Sequence, residues 1–256
     1  MIRLYLISTP ALGALVIGLT LIAALALLGL GRFLARRFPH PGNEVLFCFL
    51  GATGVIYALV LGLLAVATWD ALKSVEDACT REALEAEKLY WDLAGYAQPE
   101  RDHLRGMIRE YVREVIEVEW PRQKRGLDVR EPAMLVDMVE SWTRVEPVTE
   151  GQKLIHAEAL GELNEMLSFG RMRRQAKDVA LPSVLWVVVL LGGAVNLFLA
   201  AMIRPEKRFG LTPLVMALAA MIGLMIFEIV AVDHPLWGEV SIQATPYQDV
   251  LRSFQN

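Results

Sequence analysis

The sequence predicts an all-α membrane protein: four transmembrane helices with an extramembrane helical bundle inserted between the second and third. Three observations lead there. Four apolar runs, roughly Pro10 to Gly31, Val45 to Trp69, Leu181 to Ile203 and Leu211 to Val232, each reach the ~20 residues that cross a hydrocarbon core about 30 Å thick as a helix. Hydrophobic residues make up 55% of the 256-residue chain although 21% of its residues are charged, so apolar and polar residues are segregated rather than mixed. The about 110 contiguous residues left over are too few, and too helical and charged themselves, to cover four buried helices in a soluble fold.

The first run is longer than the about 7 to 15 apolar residues of a signal-peptide core, lacks a small-x-small cleavage site after it, and ends in Arg32, Arg36 and Arg37. It is read as a retained helix. The loop that follows carries Pro39, Pro41 and Gly42, which break a helix, so the first two spans form a hairpin. From Trp69 the chain turns polar, with no Gly or Pro until Gly95, while Leu72, Val75, Cys79, Ala83, Ala86, Leu89 and Leu93 recur at spacings of three and four. That period predicts that the second span continues as one amphipathic helix.

A second helix is expected through Leu104, Ile108, Tyr111, Val112 and Ile116, stopping at Trp120-Pro121. A third carries Met134, Leu135, Met138 and Trp142. A fourth begins near Thr149, with Glu150 and Gln152 in its first turn, and reaches Lys177. These close a four-helix bundle. Pro182 suits the first turn of the third span, and Arg204 to Gly210 is a second short, basic hairpin loop. After the fourth span comes an alternating stretch at Val240 and Ile242, then a short helix from Tyr247 to Phe254 capped by Thr245-Pro246. The expected organisation is a first transmembrane hairpin over 1–69, an extramembrane helical domain over 70–180, a second hairpin over 181–233 and a C-terminal tail over 234–256.

Short loops dominate the positive-inside rule, and the hairpin loops hold Arg32, Arg36, Arg37, Arg204, Lys207 and Arg208 against Arg3 and Arg252 on the tails. The expectation is a multi-pass protein of the cell (inner) membrane with its helical domain on the non-cytoplasmic side. Lys73, Arg81, Arg171, Arg173, Arg174 and Lys177 pull the other way. Tyr5, Trp69, Trp186 and Trp237 fall on the bundle side, but aromatic belts occur at both interfaces.

Several chemistries are excluded. His40, His103, His156 and His234 are scattered, no Cys-x-x-Cys or His-Glu-x-x-His pair occurs, and no glycine-rich phosphate loop follows a strand. No catalytic residue, cofactor or metal ligand is assigned, and an enzyme is not expected because no reactive group has a neighbour to activate it. Cys48 and Cys79 lie 31 positions apart on one expected helix, about 45 Å, so they cannot pair within the chain. A net charge of −4 without a basic tract gives no reason to expect nucleic acid as a partner.

Polar residues inside the spans are the informative ones. Glu228 sits well inside the fourth span, where an ionisable group is expensive unless it faces protein or water. It either borders an ion pathway or is satisfied by protonation, a neighbouring hydroxyl or the interface. Asn196 and Tyr57 read as interhelical glue or as conduction residues. Asp233, at the boundary, reads as a solvated cap or as a charge at an ion mouth. Gly51, Gly54, Ala58 and Gly62 form a small-residue stripe on the second span that serves helix packing or lines a pore. Four spans rarely enclose a conduit, so a pore requires several copies around an axis.

The layout and several local motifs resemble the bacterial bestrophin-like family, whose domain is classed as of unknown function. The residues are Gly54-Val55-Ile56-Tyr57-Ala58, Trp69, Glu76-Asp77, Arg81-Glu82-Ala83, Glu119-Trp120-Pro121, His156 to Leu160, Leu163-Asn164, Leu181-Pro182, Asp233-His234-Pro235, Gly238 and Pro246-Tyr247. The resemblance covers nearly the whole chain. It implies four spans plus a helical domain and, through the remote likeness to bestrophins, a homo-oligomer, a pentamer in that family, that conducts an inorganic ion. No acidic calcium clasp is identified. The expected function is an oligomeric, channel-like protein of the lipid bilayer with ions moving along the symmetry axis. The alternative is a non-conducting scaffold that binds a partner through its helical domain.

Overall fold

The computed structural model describes residues 7–37, 42–204 and 210–255, and all regular structure among them is helical. In chain order the elements are α1 (Thr9–Arg37), α2 (Asn43–Asp92), a 3-10 turn (Leu93–Gly95), α3 (Glu100–Glu114), a π segment (Val115–Glu119) and α4 (Trp120–Lys124). They continue with α5 (Met134–Thr143), α6 (Glu150–Gln175), a second 3-10 turn (Ala176–Asp178), α7 (Ser183–Met202), α8 (Leu211–Val232) and α9 (Thr245–Ser253). Four of these are long and apolar enough to cross a membrane, over Thr9–Leu34, Asn43–Gly95, Ser183–Met202 and Leu211–Val232. The expected positions Arg3, Tyr5, Pro39, His40, Pro41, Lys207 and Arg208, and the side chain of Arg36, lie outside what is described.

The chain divides into two compact units, Arg3–Asp70 with Ala180–Asp233, and Ala71–Val179 with His234–Asn256. The first has a core of Ala24 and Leu28 from α1, Tyr57, Leu61 and Leu64 from α2, Val189, Leu197 and Ala200 from α7, and Val215, Ala219, Ile222 and Ile226 from α8. Its helices approach closely where a side chain is missing. A Cβ on Gly223 would clash with Thr20 Oγ1 and lie 3.2 Å from the Ile17 backbone, and one on Gly31 would lie 2.9 Å from the Ala201 carbonyl. Small residues let these backbones meet without a side chain between them.

The second unit is built on Cys79, Ala83, Ala86 and Leu89 of α2, with Leu104, Ile108, Tyr111 and Val112 of α3, Met138 and Trp142 of α5, and Leu163 and Met166 of α6. The helix over 72–93 and the period in α3 are as the sequence predicts. So is the start of α6: Thr149 Oγ1 accepts from the Gln152 amide at 3.2 Å and Gln152 Oε1 accepts from the Thr149 amide at 3.1 Å, a reciprocal cap.

Three local expectations are corrected. The helical path does not stop at Trp120-Pro121 but passes through the π segment into α4 and ends at Lys124. Pro121 falls in the first turn after the change of register, where its missing N–H is not needed. Thr245 does not cap α9; it is the first helical residue, after Ala244. The segment expected as a tail packs into the second core through Leu236, Tyr247, Val250 and Phe254. Phe254 stacks on Tyr90 with ring centroids 4.0 Å apart, and the Ile242 amide donates to the Pro235 carbonyl at 3.0 Å.

Candidate functional site

In the first unit, one face of α2 is fixed by polar anchors. The Tyr57 hydroxyl, on a buried side chain, donates to the Val189 carbonyl of α7 at 3.0 Å. Its ring covers the two glycines beneath it: a Cβ on Gly192 would lie 2.6 Å from Tyr57 Cδ2, and one on Gly193 would lie 2.9 Å from the hydroxyl. One turn earlier, Asn196 Oδ1 accepts from the Thr53 hydroxyl at 3.1 Å while its amide donates to the Gly192 carbonyl at 2.9 Å. Asn196 is buried, and Gly54 packs beside it, a Cβ there meeting Asn196 Oδ1 at 3.6 Å. Tyr57, Asn196 and Gly54 thus hold α2 to α7 in an apolar surrounding where a hydroxyl or amide needs a partner.

The opposite face of α2 in this unit is exposed among the described residues. At 100° per residue, Tyr57, Leu61, Leu64 and Thr68 define the buried side, and Val55 and Val66 point the opposite way. Gly51, Ala58 and Gly62 lie on one flank and Ile56, Leu59 and Leu63 on the other, all exposed. A Cβ on Gly51 or Gly62 would find open space. Gly54 therefore separates from the stripe with which the sequence groups it.

Glu228 is exposed on the outward side of α8 beside Leu214, Met221 and Leu224. It has no hydrogen bond or ion pair among the described residues. Asp233 is buried, and its carboxylate accepts from the Leu181 amide at 2.7 Å, closing the approach to α7. A carboxylate at the start of a helix also complements the helix dipole.

The second unit holds a polar cluster that the sequence does not reveal as one site. Arg173 of α6 is completely buried. Its Nε donates to Glu82 Oε2 at 2.8 Å, its Nη2 to Glu82 Oε1 at 3.0 Å and to Glu119 Oε2 at 2.6 Å, and its Nη1 to Gln123 Oε1 at 2.8 Å. The Tyr111 and Tyr247 hydroxyls donate to Glu82 at 2.6 and 2.8 Å. Arg174 adds a looser ion pair to Glu119 at 3.6 Å. Two carboxylates and two guanidiniums balance in charge, as a cluster removed from water requires. Burial alone would lower the Arg173 pKa; Glu82, Tyr247 and Glu119 more than reverse that and hold it well above its ordinary value. Burial, reinforced by Glu82, raises both tyrosines, and the same causes push the neighbouring Cys79 thiol up to about 12, which disfavours its thiolate. Glu119 sits in the π segment, a distortion that aims its carboxylate at Arg173.

Two further groupings face solvent in this unit. A cavity of about 590 Å³ is lined in part by Tyr96, His103, Arg144 and His156. The Tyr96 hydroxyl lies 2.6 Å from His156 Nδ1; burial lowers the His156 pKa and pushes Tyr96 up to about 12. Asp92, Glu158 and Glu162 bring carboxylate oxygens within 4.8 Å of one another, a set able to hold a cation. Burial, then Asp92 and Glu85, push Glu162 up to about 7. No sequence spacing announces this set, since Asp92 lies on α2 and the two glutamates on α6.

Residues 17–247 match the family described as Bestrophin-like domain. A crystal structure of a bacterial bestrophin homologue from Klebsiella pneumoniae, a leucine-to-threonine variant, is 8% identical, covers 94% of this chain and 97% of its own, and superposes with a TM-score of 0.70. An isoleucine-to-threonine variant of a bacterial bestrophin homologue from the same organism is 9% identical, with coverages of 95% and 99% and a TM-score of 0.71. A glycine-to-alanine variant of a membrane protein is 10% identical, with coverages of 94% and 96% and a TM-score of 0.71. At such identities the likeness is one of fold. No curated protein matches the sequence.

Proposed function

The chain belongs to the bestrophin-like family, and from that premise we propose that it assembles into a closed ring, about five copies as the resemblance implies, that conducts an inorganic ion across the cell (inner) membrane. The carrying observation is the outward face of α2. A helix in the middle of a four-helix membrane unit would bury most of its small residues, yet Gly51, Ala58, Gly62 and Val66 are exposed, and Val66 points away from the buried Leu61 and Leu64. Identical copies placing this face around an axis would cover it, with the small residues permitting close approach or leaving room for an ion.

In this reading Tyr57, Asn196 and Asp233 fix helices rather than touch ions. Glu228 is the ionisable group left to bias them: on a lipid-facing surface its charge is costly, so α8 turns that face to a water path or a neighbouring copy. The domain over 70–180, inserted between the second and third spans, lies on the non-cytoplasmic side. Support comes from Arg32, Arg37 and Arg204, exposed at the hairpin end, and from the burial of Arg173 and Arg174 in the second unit, which removes both from the surface charges that favoured the opposite orientation.

Planar-bilayer recording of the purified protein tests the reading. Wild-type protein should give discrete currents, and Gly62→Trp, at a position where added atoms meet nothing in the single chain, should block them while leaving folding intact. Silent bilayers with wild-type protein, or wild-type currents from the variant, would refute it and leave the partner-binding scaffold.

A further inference from the structure

The geometry points to a binding site for an anionic phospholipid at the hairpin end of the first unit. A groove of about 540 Å³ lies between the start of α2, the end of α7 and the first turns of α8. Its walls are Phe47, Leu50, Ile203, Leu214 and Leu218. It extends from Gly210 to Leu218, about 12 Å along α8, within the apolar segments of three spanning helices. Such a slot takes an acyl chain, because these five wall side chains carry no hydrogen-bonding group and the polar lining residues, Asn43 and Arg204, sit at one end.

The rim has the opposite character. Arg204, exposed, lines the mouth, and its backbone is fixed there: the Asn43 amide donates to the Arg204 carbonyl at 2.7 Å, and the Arg204 amide donates to Asn43 Oδ1 at 3.0 Å. This reciprocal pair ties the end of α7 to the start of α2 and fixes the Arg204 backbone at the mouth of the groove. Arg32 stands on the same end, donating to the Thr212 hydroxyl in the first turn of α8 at 3.1 Å. The α8 first turn carries no acidic residue, so its amide ends add positive potential, and Glu44 is the one acidic side chain in the first turn of α2. An apolar slot opening on a guanidinium and a helix amino end is complementary to one molecule class: an acyl chain below, a phosphodiester carrying net negative charge above. A zwitterionic lipid presents the same phosphate with its own cation beside it, so it loses the long-range attraction.

Native mass spectrometry of the detergent-purified full chain tests this with phosphatidylglycerol and phosphatidylcholine of identical acyl chains. Wild type should retain phosphatidylglycerol about tenfold more tightly. Arg204→Gln should reduce phosphatidylglycerol to the level of phosphatidylcholine, and Leu214→Trp, which fills the slot, should weaken both. Inorganic phosphate should not compete. Equal retention of the two lipids by wild type, an undiminished preference in Arg204→Gln, or wild-type retention in Leu214→Trp would overturn the assignment. So would disulfide cross-linking of Leu214→Cys between two chains, which would show that a second copy fills the groove.

Discussion

Replacing Arg173 by Met should be the most damaging single change in the second unit. The side chain is wholly buried and makes four hydrogen bonds, two to Glu82, one to Glu119 and one to Gln123. Met fills a similar volume, so the loss is electrostatic rather than a cavity. Glu82 keeps its two tyrosine donors. Glu119 keeps only the 3.6 Å approach of Arg174. Stranding a buried charge in this way costs about 3–5 kcal/mol. For a unit of this size that lowers Tm by roughly 10–20 °C. Thermal unfolding of the detergent-purified protein, followed through the fluorescence of the buried Trp120 and Trp142, would read it.

Arg173→Met with Glu119→Gln should recover part of the loss, because the amide removes the stranded charge. A loss below about 1 kcal/mol would refute the claim that this cluster holds the unit together.

Other outcomes follow from the same contacts. Gly192→Ala places a Cβ 2.6 Å from the Tyr57 ring; the ring must move off the Val189 carbonyl, and unfolding should show a loss of about 1–3 kcal/mol. Tyr247→Phe removes one donor from Glu82 and should cost about 1 kcal/mol, whereas Tyr247→Ala should cost about 3–5 kcal/mol because a fully buried aromatic is lost from the core. Glu162, raised to about 7 by burial and by Asp92, contributes stability that is fully present below its unfolded pKa and is lost as pH rises through 7. Glu162→Gln should flatten that dependence, and melting curves between pH 5 and 8 for both proteins would show whether it does. Glu228→Gln should change ion selectivity or its pH dependence in bilayers, and unaltered currents would count against a role for that carboxylate.

Much of the fold is written in hydrophobic period. The spacing from Leu72 to Leu93 foretells the continuation of α2, and Thr149 with Gln152 foretells the start of α6, because both signals are local. The C-terminal contribution was not legible for the same reason: Tyr247 lies in, and Phe254 directly follows, a helix of nine residues, too short for its period to distinguish a packed segment from a tail. Arg173 misleads more thoroughly. In the run Arg171 to Arg174 it reads as membrane-flanking charge, and only tertiary structure brings it to Glu82 and Glu119, 91 and 54 positions away. Glu82, Glu119 and Tyr247 did stand among the motif residues that carry the family resemblance, but a motif along the chain does not say that its members converge on one guanidinium. Within the first unit, Tyr57 and Asn196 were legible as polar residues needing partners, while their partners across the helix pair, Val189 and Thr53, depended on the register of α2 against α7.

The central claim is that the outward face of α2 is covered by identical copies around an axis. Mass photometry of the detergent-purified protein tests this most directly. The account predicts a single closed assembly of about five chains. A monomer or a dimer would contradict it, because neither can enclose an axis with α2.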